Sequence, residues 1–179
     1  MATAAAVTDQ TQSSAQAGDL HTLSVFVANK PGVLARIAQV FARRGFNIDS
    51  LVVSPSMDGK YSRMTITALG DPENLDQIIM QVSKLVDVLR CIDHSDDNAV
   101  VRELALIKVS TDVQERTEIL QIVEHFGCKT VDLTEKSVIV MGYGDSSKID
   151  ALVEMLRSYR VVELVRTGKV LMARGEQET

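Results

Sequence analysis

From Leu20 onward the chain alternates between two hydrophobic periods. Leu23, Val25 and Val27 alternate with Ser24 and Ala28, while Phe26 faces the other way, and a period of two predicts a strand. Pro31 suits the first turn of a helix. Val33, Leu34, Ile37, Val40 and Phe41 then follow at helical spacing until Gly45, just after Arg43 and Arg44, ends the run. Residues 46–54 read as a strand, Ser56, Met57, Asp58 and Gly59 as a turn, and 61–69 as the returning strand, where Met64, Ile66 and Ala68 alternate with Thr65 and Thr67. Asp71, Pro72 and Glu73 then open a second helix. Its apolar stripe is Leu75, Ile78, Ile79, Val82, Leu85 and Val86, and residues 88–92 form a fourth strand.

The polar run 93–98 interrupts this order, and then the order returns. A strand at 102–109 precedes a helix that Asp112 and Glu115 open as a capping pair and that runs to Phe126, where Gly127 takes the place of Gly45. Residues 128–134 and 137–143 make a hairpin around Glu135 and Lys136. Asp145 or Ser146 opens a helix carrying Ile149, Leu152, Val153 and Leu156. Strands at 161–166 and 169–173 flank the Thr167–Gly168 turn. The expectation is an α+β fold of two tandem ferredoxin-like βαββαβ units, each of roughly 75 residues. The expected division is a polar, disordered tail at 1–19, a first unit at 20–95, a linker at 96–100, a second unit at 101–175 and a short tail at 176–179. Helices cover one face of each sheet. Leu51, Val53, Met64, Ile66, Leu89 and Cys91 offer more apolar surface than one helix layer covers, so an uncovered apolar face on the first unit, and a homodimer formed through it, are expected.

Composition narrows the chemistry. With 45% hydrophobic and 24% charged residues, the 179-residue chain has the make-up of a packed fold. Aromatic residues are only 4% and the net charge is −5, which argues against a nucleic-acid partner needing stacked rings and a basic groove. Cys91 and Cys128 lack C-x-x-C spacing, and His21, His94 and His125 stand far apart, so neither a metal site nor a nucleophile dyad is expected, and no residue is assigned a catalytic role. No run approaches the ~18 apolar residues of a membrane span. The first 19 residues contain no apolar core and no Lys or Arg, unlike a signal or transit peptide, which leads to the expectation of a cytoplasmic protein without membrane contact.

The loop Asn29-Lys30-Pro31-Gly32-Val33-Leu34 stands between a strand and a helix start, where free N–H groups and the positive end of the helix dipole favour a carboxylate or phosphate. Asn29 offers a donor and an acceptor, and Asn47 repeats that offer at the start of the next strand, so the pair suits the ammonium and carboxylate of a small amino acid. The same residues also fit a plain turn and helix start. The second repeat serves as a control: its equivalent turn, Ser110-Thr111-Asp112-Val113, has neither Pro nor Gly, and Lys129 stands in place of Asn47. Residues demanded by the fold alone should occur in both copies, so their restriction to the first favours a ligand role there. Three further features carry weaker signals. The loop 142–148 lacks Walker spacing and reads as a turn; Arg43 and Arg44 read as solvating a helix end; Tyr61 and Arg63 flank a hairpin, where Arg63 reads either as an interface cation or as a surface strand arginine.

The runs Phe26-Val27-Ala28-Asn29-Lys30-Pro31-Gly32-Val33-Leu34-Ala35-Arg36-Ile37, Arg43-Arg44-Gly45-Phe46-Asn47-Ile48-Asp49-Ser50-Leu51 and Ser62-Arg63-Met64-Thr65-Ile66 closely resemble the regulatory small subunits of acetolactate synthase. Lys84 to Leu89 and Val101 to Leu104 fit the same family. The resemblance implies an ACT domain followed by an ACT-like domain, a homodimer, and a valine or other branched-chain amino-acid site between two ACT domains. It implies effector contacts at Asn29, Gly32 and Asn47, with Val33, Leu34 and Ile48 as neighbours of the ligand's backbone or isopropyl group, and with less defined roles for Lys30 and Pro31. It further implies that this chain carries no cofactor. The catalytic large subunit, a separate chain, uses thiamine diphosphate, Mg²⁺ and FAD, and valine, leucine and isoleucine biosynthesis is the setting. Two alternatives are a free-standing ACT-domain amino-acid sensor and a small acylphosphatase-like enzyme using Arg43 or Arg63 as an anion clamp, although that family's nucleophile-positioning Asn beside a phosphate loop is not found.

Overall fold

The computed structural model describes residues 19–94, 99–176 and 179. The first unit runs β1 (Asp19–Ala28), α1 (Val33–Arg43), β2 (Asn47–Pro55), β3 (Tyr61–Gly70), α2 (Pro72–Ser83) and β4 (Val88–Asp93). Its antiparallel sheet has the order β2-β3-β1-β4, which separates the chain neighbours β1 and β2 by β3. The second unit repeats this with β5 (Ala99–Ser110), α3 (Val113–His125), β6 (Lys129–Leu133), β7 (Ser137–Gly144), α4 (Ser146–Leu156) and β8 (Arg160–Arg166), ordered β6-β7-β5-β8. A last strand, β9 (Val170–Ala173), pairs with the first four residues of β5, from Ala99 opposite Ala173 to Arg102 opposite Val170. The two ferredoxin-like units expected from the repeat are thus present.

Each core lies between a sheet and its two helices. In the first, Leu23, Val25 and Val27 of β1 and Met64, Ile66 and Ala68 of β3 face Ile37 and Phe41 of α1 and Ile78 and Val82 of α2. In the second, Ala105, Ile107 and Val109 of β5 and Val138 and Val140 of β7 meet Ile119, Ile149, Leu152 and Leu156. The alternation in the sequence is therefore the alternation of the two sheet faces. Glycines with positive φ end the first helix of each unit, Gly45 at 73° and Gly127 at 59°, a backbone region where a Cβ is penalised.

Several boundaries and one face differ from expectation. Asp19 already belongs to β1, opposite Gly70. Ala99 and Val100, expected in a linker, pair with Ala173 and Met172. Thr179, expected in a tail, is buried, and its hydroxyl accepts from the Ala173 N–H at 2.8 Å. The tail expected before Asp19 lies outside the described residues.

The uncovered apolar face is also misplaced. Leu51 pairs with Ile66 and Val53 with Met64, and Cys91 lies opposite Val25, so these residues sit on the helix-covered side. The outer face of the first sheet carries the pairs Thr22–Thr67 and Ser24–Thr65, all buried. Alternation alone does not say which of two faces meets the helices, and bulges between Ile48 and Ser50 and between Phe26 and Val27 shift the register. The open apolar face belongs to the second sheet. There Leu106 pairs with Met141 on one side and Val165 on the other, and Leu106 and Val165 are 38% and 52% exposed.

The chain leaves β4 across the outer face of the first sheet, where the His94 N–H donates to the Thr22 carbonyl at 2.8 Å and the His94 ring hydrogen-bonds the Ser24 hydroxyl at 2.8 Å. The second unit follows on that side: its turn 167–169 reaches Ser50 and Thr67, and Met172 and Thr179 lie beside Phe26 and Arg63. Among the described residues no helix is long and apolar enough to cross a membrane.

Candidate effector site

Four helices begin among the described residues, and three begin alike. Asp71 accepts from the Glu73 N–H at 3.0 Å, Asp112 from the N–H groups of Gln114 and Glu115 at 2.8 and 2.9 Å, and Asp145 from the Lys148 N–H at 2.9 Å. Each aspartate fills the anion position that a helix N-terminus offers. Asp145 rather than Ser146 is therefore the cap of α4, and its carboxyl is held below the usual range by the Lys148 N–H and the Ser147 hydroxyl. The loop 142–148 is thus a capped turn whose anion position is already filled.

Helix α1 begins differently. Its cap is Gly32, at φ 82°, with no side-chain cap bond and no acidic residue in the first turn. The Val33 N–H makes a long bond of 3.4 Å to the Lys30 carbonyl, and those of Leu34 and Ala35 have no partner among the described residues. A carboxylate from outside the chain fits the position that Asp71, Asp112 and Asp145 fill elsewhere. Asp87, mostly buried, ion-pairs with Lys30 at 3.5 Å and also with Arg36, so the two cations beside the loop are tied down rather than free. Nothing in the local sequence pointed to Asp87, because it approaches the loop from the far end of α2.

The other residues read from the sequence fall into distinct places. The Asn29 amide donates to the Gly59 carbonyl at 3.0 Å and the Asn29 N–H to the Lys60 carbonyl at 2.9 Å, which pins the loop to the β2–β3 hairpin and leaves the amide oxygen as an acceptor. The Val33 side chain is buried in the core, so this residue can face a ligand only through its backbone. Leu34 is 40% exposed and can offer apolar surface. Ile48 packs partly against the core. Asn47 is exposed at the start of β2 and pairs with Leu69, while Ala28, next to Asn29, pairs with Tyr61. Those partners stand eight residues apart on β3, or about 27 Å at ~3.4 Å per residue. Asn29 and Asn47 of one chain therefore lie at opposite ends of the sheet, and one chain does not bring the two amides around a single amino acid.

The remaining candidates are structural. His21 is buried beside Phe46 and donates to the Gly70 carbonyl at 3.3 Å. Arg44 donates to Gln77 at 2.7 Å and links α1 to α2. Arg63 lies over the Phe26 ring at 5.8 Å, on the outer face of the first sheet, where a hollow of about 620 Å³ also takes in Arg90, Met172 and Thr179. Burial, with the charge of Asp93, pushes the Cys91 thiol up to about 12, and burial raises that of Cys128 despite Lys148, so neither thiol is poised as a nucleophile. Among the described residues no three His, Cys, Asp or Glu side chains gather as metal ligands.

Both halves of the chain match known families. Residues 23–90 match the AHAS small subunit-like ACT domain, and residues 102–175 match the small subunit of acetolactate synthase. The acetolactate synthase small subunit of Mycolicibacterium smegmatis is 43% identical over 155 residues, covering 87% of this chain and 91% of its own length. That of Mycobacterium leprae is 42% identical over the same length, covering 87% and 92%.

The chain belongs to the acetolactate synthase small-subunit family.

The crystal structure of the Thermotoga maritima acetolactate synthase small subunit agrees with this chain in fold, with a TM-score of 0.79 at 40% identity, covering 89% of this chain and 99% of that one. Within the family frame, the open end of α1 and the exposed Asn47 both fall inside the ACT domain match, and the Asp-capped α3 and α4 fall in the second match.

Proposed function

We propose that this chain is the regulatory subunit of an acetolactate synthase, which activates a separate catalytic subunit and makes it sensitive to valine or another branched-chain amino acid. The observation that carries the reading is the helix start at Gly32, the one without a side-chain cap among the described residues, in a small-subunit ACT domain whose other described helix is Asp-capped. The ligand's carboxylate occupies the N–H groups of Leu34 and Ala35, its ammonium faces the Asn29 oxygen, and its side chain lies against Leu34.

Asn47 enters from a second copy of the chain. Strand β2, which carries Asn47, is one of the two edges of the first sheet. Antiparallel pairing of two β2 edges about a two-fold axis sets the Asn47 end of each strand beside the Pro55 end of the other. That end carries the hairpin to which the Asn29 amide is bonded. Two equivalent sites result, each closed by both chains, and ligand binding then reports on the arrangement of the dimer. The chemistry itself belongs to the catalytic subunit with its thiamine diphosphate, Mg²⁺ and FAD.

The test is acetolactate formation by a purified catalytic subunit with and without this chain, and with and without valine. A higher rate with the chain and its suppression by valine are expected, along with no pyruvate turnover by the chain alone. Valine binding without any effect on the catalytic subunit would instead mark a free-standing sensor.

A further inference from the structure

The two units meet at a polar cavity of about 510 Å³. Asp49, Ser50 and Thr67 of the first sheet line one side, and Glu103, Arg166 and the turn 167–169 line the other. At its rim the backbone of Gly168 lies directly on β2: a Cβ built at Gly168 would fall 2.7 Å from both the Cβ and the hydroxyl of Ser50, and Gly168 sits at φ 82°. This contact has no room for a methyl group, so Ser50 and Gly168 cannot move toward each other independently.

Both sides of the contact are anchored. The Thr167 N–H donates to the Leu104 carbonyl at 3.0 Å, and the Leu104 N–H donates back to the Thr167 hydroxyl at 3.2 Å. Arg166, next in line, is held by buried Glu103 and, at 2.7 Å, by Asp150 of α4. Burial of this guanidinium disfavours its charge, but the bonds from Glu103 and Asp150 outweigh that and leave its pKa above the ordinary value. The turn therefore moves with the second unit. On the other side Ser50 hydrogen-bonds Thr67 across the sheet, three residues beyond Asn47, and the register slip between Ile48 and Ser50 leaves Asp49 bulged between them.

We infer that the Ser50–Gly168 contact transmits effector occupancy at Asn47 to the second unit, with the bulge at Asp49 as the yielding point. A bulge leaves its extra residue unpaired and the ladder locally disrupted, so the strand at Asp49 is held by fewer cross-strand bonds than its neighbours. A ligand that pulls on Asn47 thus displaces Ser50, and the close contact carries that displacement into a turn fixed to α4. The inference rests on the proposed effector site, and it concerns how binding is relayed rather than whether it occurs.

The test uses the full chain with its catalytic subunit and measures valine binding by calorimetry beside valine inhibition of acetolactate formation. Ser50→Gly removes the contacted atoms, and Gly168→Ala forces the contact apart. Each should leave the valine Kd within about threefold while leaving severalfold more acetolactate formation at saturating valine, because an occupied site whose relay is cut no longer restrains the catalytic subunit. In Ser50→Gly/Gly168→Ala the new methyl takes the vacated space, which removes the clash but not the backbone strain of a Cβ at φ 82°, so inhibition should return in part, which a merely misfolded variant would not show. If Ser50→Gly binds and inhibits as the unaltered chain does, or if binding and inhibition weaken together, the relay is overturned while the effector site stands. An unaltered chain that binds no valine overturns the effector site, and the relay with it.

Discussion

One supersecondary plan is used twice in this chain, and the two copies differ at two surfaces. The first copy leaves the start of α1 uncapped and carries a polar outer sheet face; the second caps both its helices with aspartate and carries an apolar outer face. The cores require neither difference, since both are built from the same inward rows of Val, Ile, Leu and Ala. What differs is what each copy leaves open: a helix end without a side-chain cap in the first, an exposed apolar sheet face in the second.

The largest expected contrast between the copies lies in their cysteines. A thiol pushed from 9.0 to about 12 loses roughly three powers of ten in thiolate at pH 8, so Cys91 should be labelled by iodoacetamide about 1,000-fold more slowly than a free thiol. Cys128, raised less and opposed by Lys148, should react well before it. Equal rates, followed by mass spectrometry, would contradict the burial of Cys91. The folded state holds the Cys91 proton more tightly than the unfolded one. This group's contribution is therefore complete below pH 9.0 and is lost as pH climbs from there toward about 12.

The next contrast concerns the proposed ligand. Losing a hydrogen bond to a charged group costs about 1.5–3 kcal/mol, or roughly tenfold to a hundredfold in affinity, so Asn47→Ala should weaken valine inhibition by that factor and leave activation intact. Gly32→Asp should act in the same direction, because its carboxylate would take up the position meant for the ligand's own. Lys129→Ala, at the matching place in the second copy, should leave inhibition unchanged. A valine response lost in Lys129→Ala and kept in Asn47→Ala would move the site to the other unit.

Most of the architecture was readable from period and punctuation, since Pro72, Gly45, Gly127 and the three aspartates each carry a local signal that acts within a turn of its own position. The unreadable parts are long-range. The choice of outer face depended on bulges and on which side the chain took after Asp93, and the distance between Asn29 and Asn47 depended on β3 being inserted between β1 and β2. The contacts of Asp87 and Gly168 could not be read for the same reason, as their partners are Lys30, Arg36 and Ser50, far away in sequence. At the site itself, comparing the two repeats singled out Gly32, and the hydrogen bonds add that the Leu34 and Ala35 N–H groups behind it have no partner among the described residues.

A smaller effect tests that difference in capping. Asp112→Ala, which leaves two N–H groups unsatisfied, should destabilise the chain by about 1 kcal/mol, and Asp71→Ala and Asp145→Ala, which each free one, by no more than that. None of the three should alter valine inhibition, and urea denaturation beside the inhibition assay separates the two readouts. An Asp112→Ala chain with normal stability but altered inhibition would mean that the second copy, too, has an effector end.

The smallest expected effect concerns the outer faces. Leu106 and Val165 are neighbours across β5 and β8, and both are substantially exposed, so replacing either with Thr removes little buried surface and places there a β-branched residue that suits a strand. Each change should shift stability by no more than about 0.5 kcal/mol if the face meets water, as surface substitutions do. Ile107→Thr, one position along and fully buried, supplies the scale: a cavity plus a buried hydroxyl costs about 2–5 kcal/mol. The comparison turns on where Leu106→Thr falls on that scale. A value near that of Ile107→Thr, together with a melting temperature that depends on protein concentration, would show that the apolar face is covered by another copy of the chain, and the second unit would then hold copies together in addition to the contact proposed at the β2 edge.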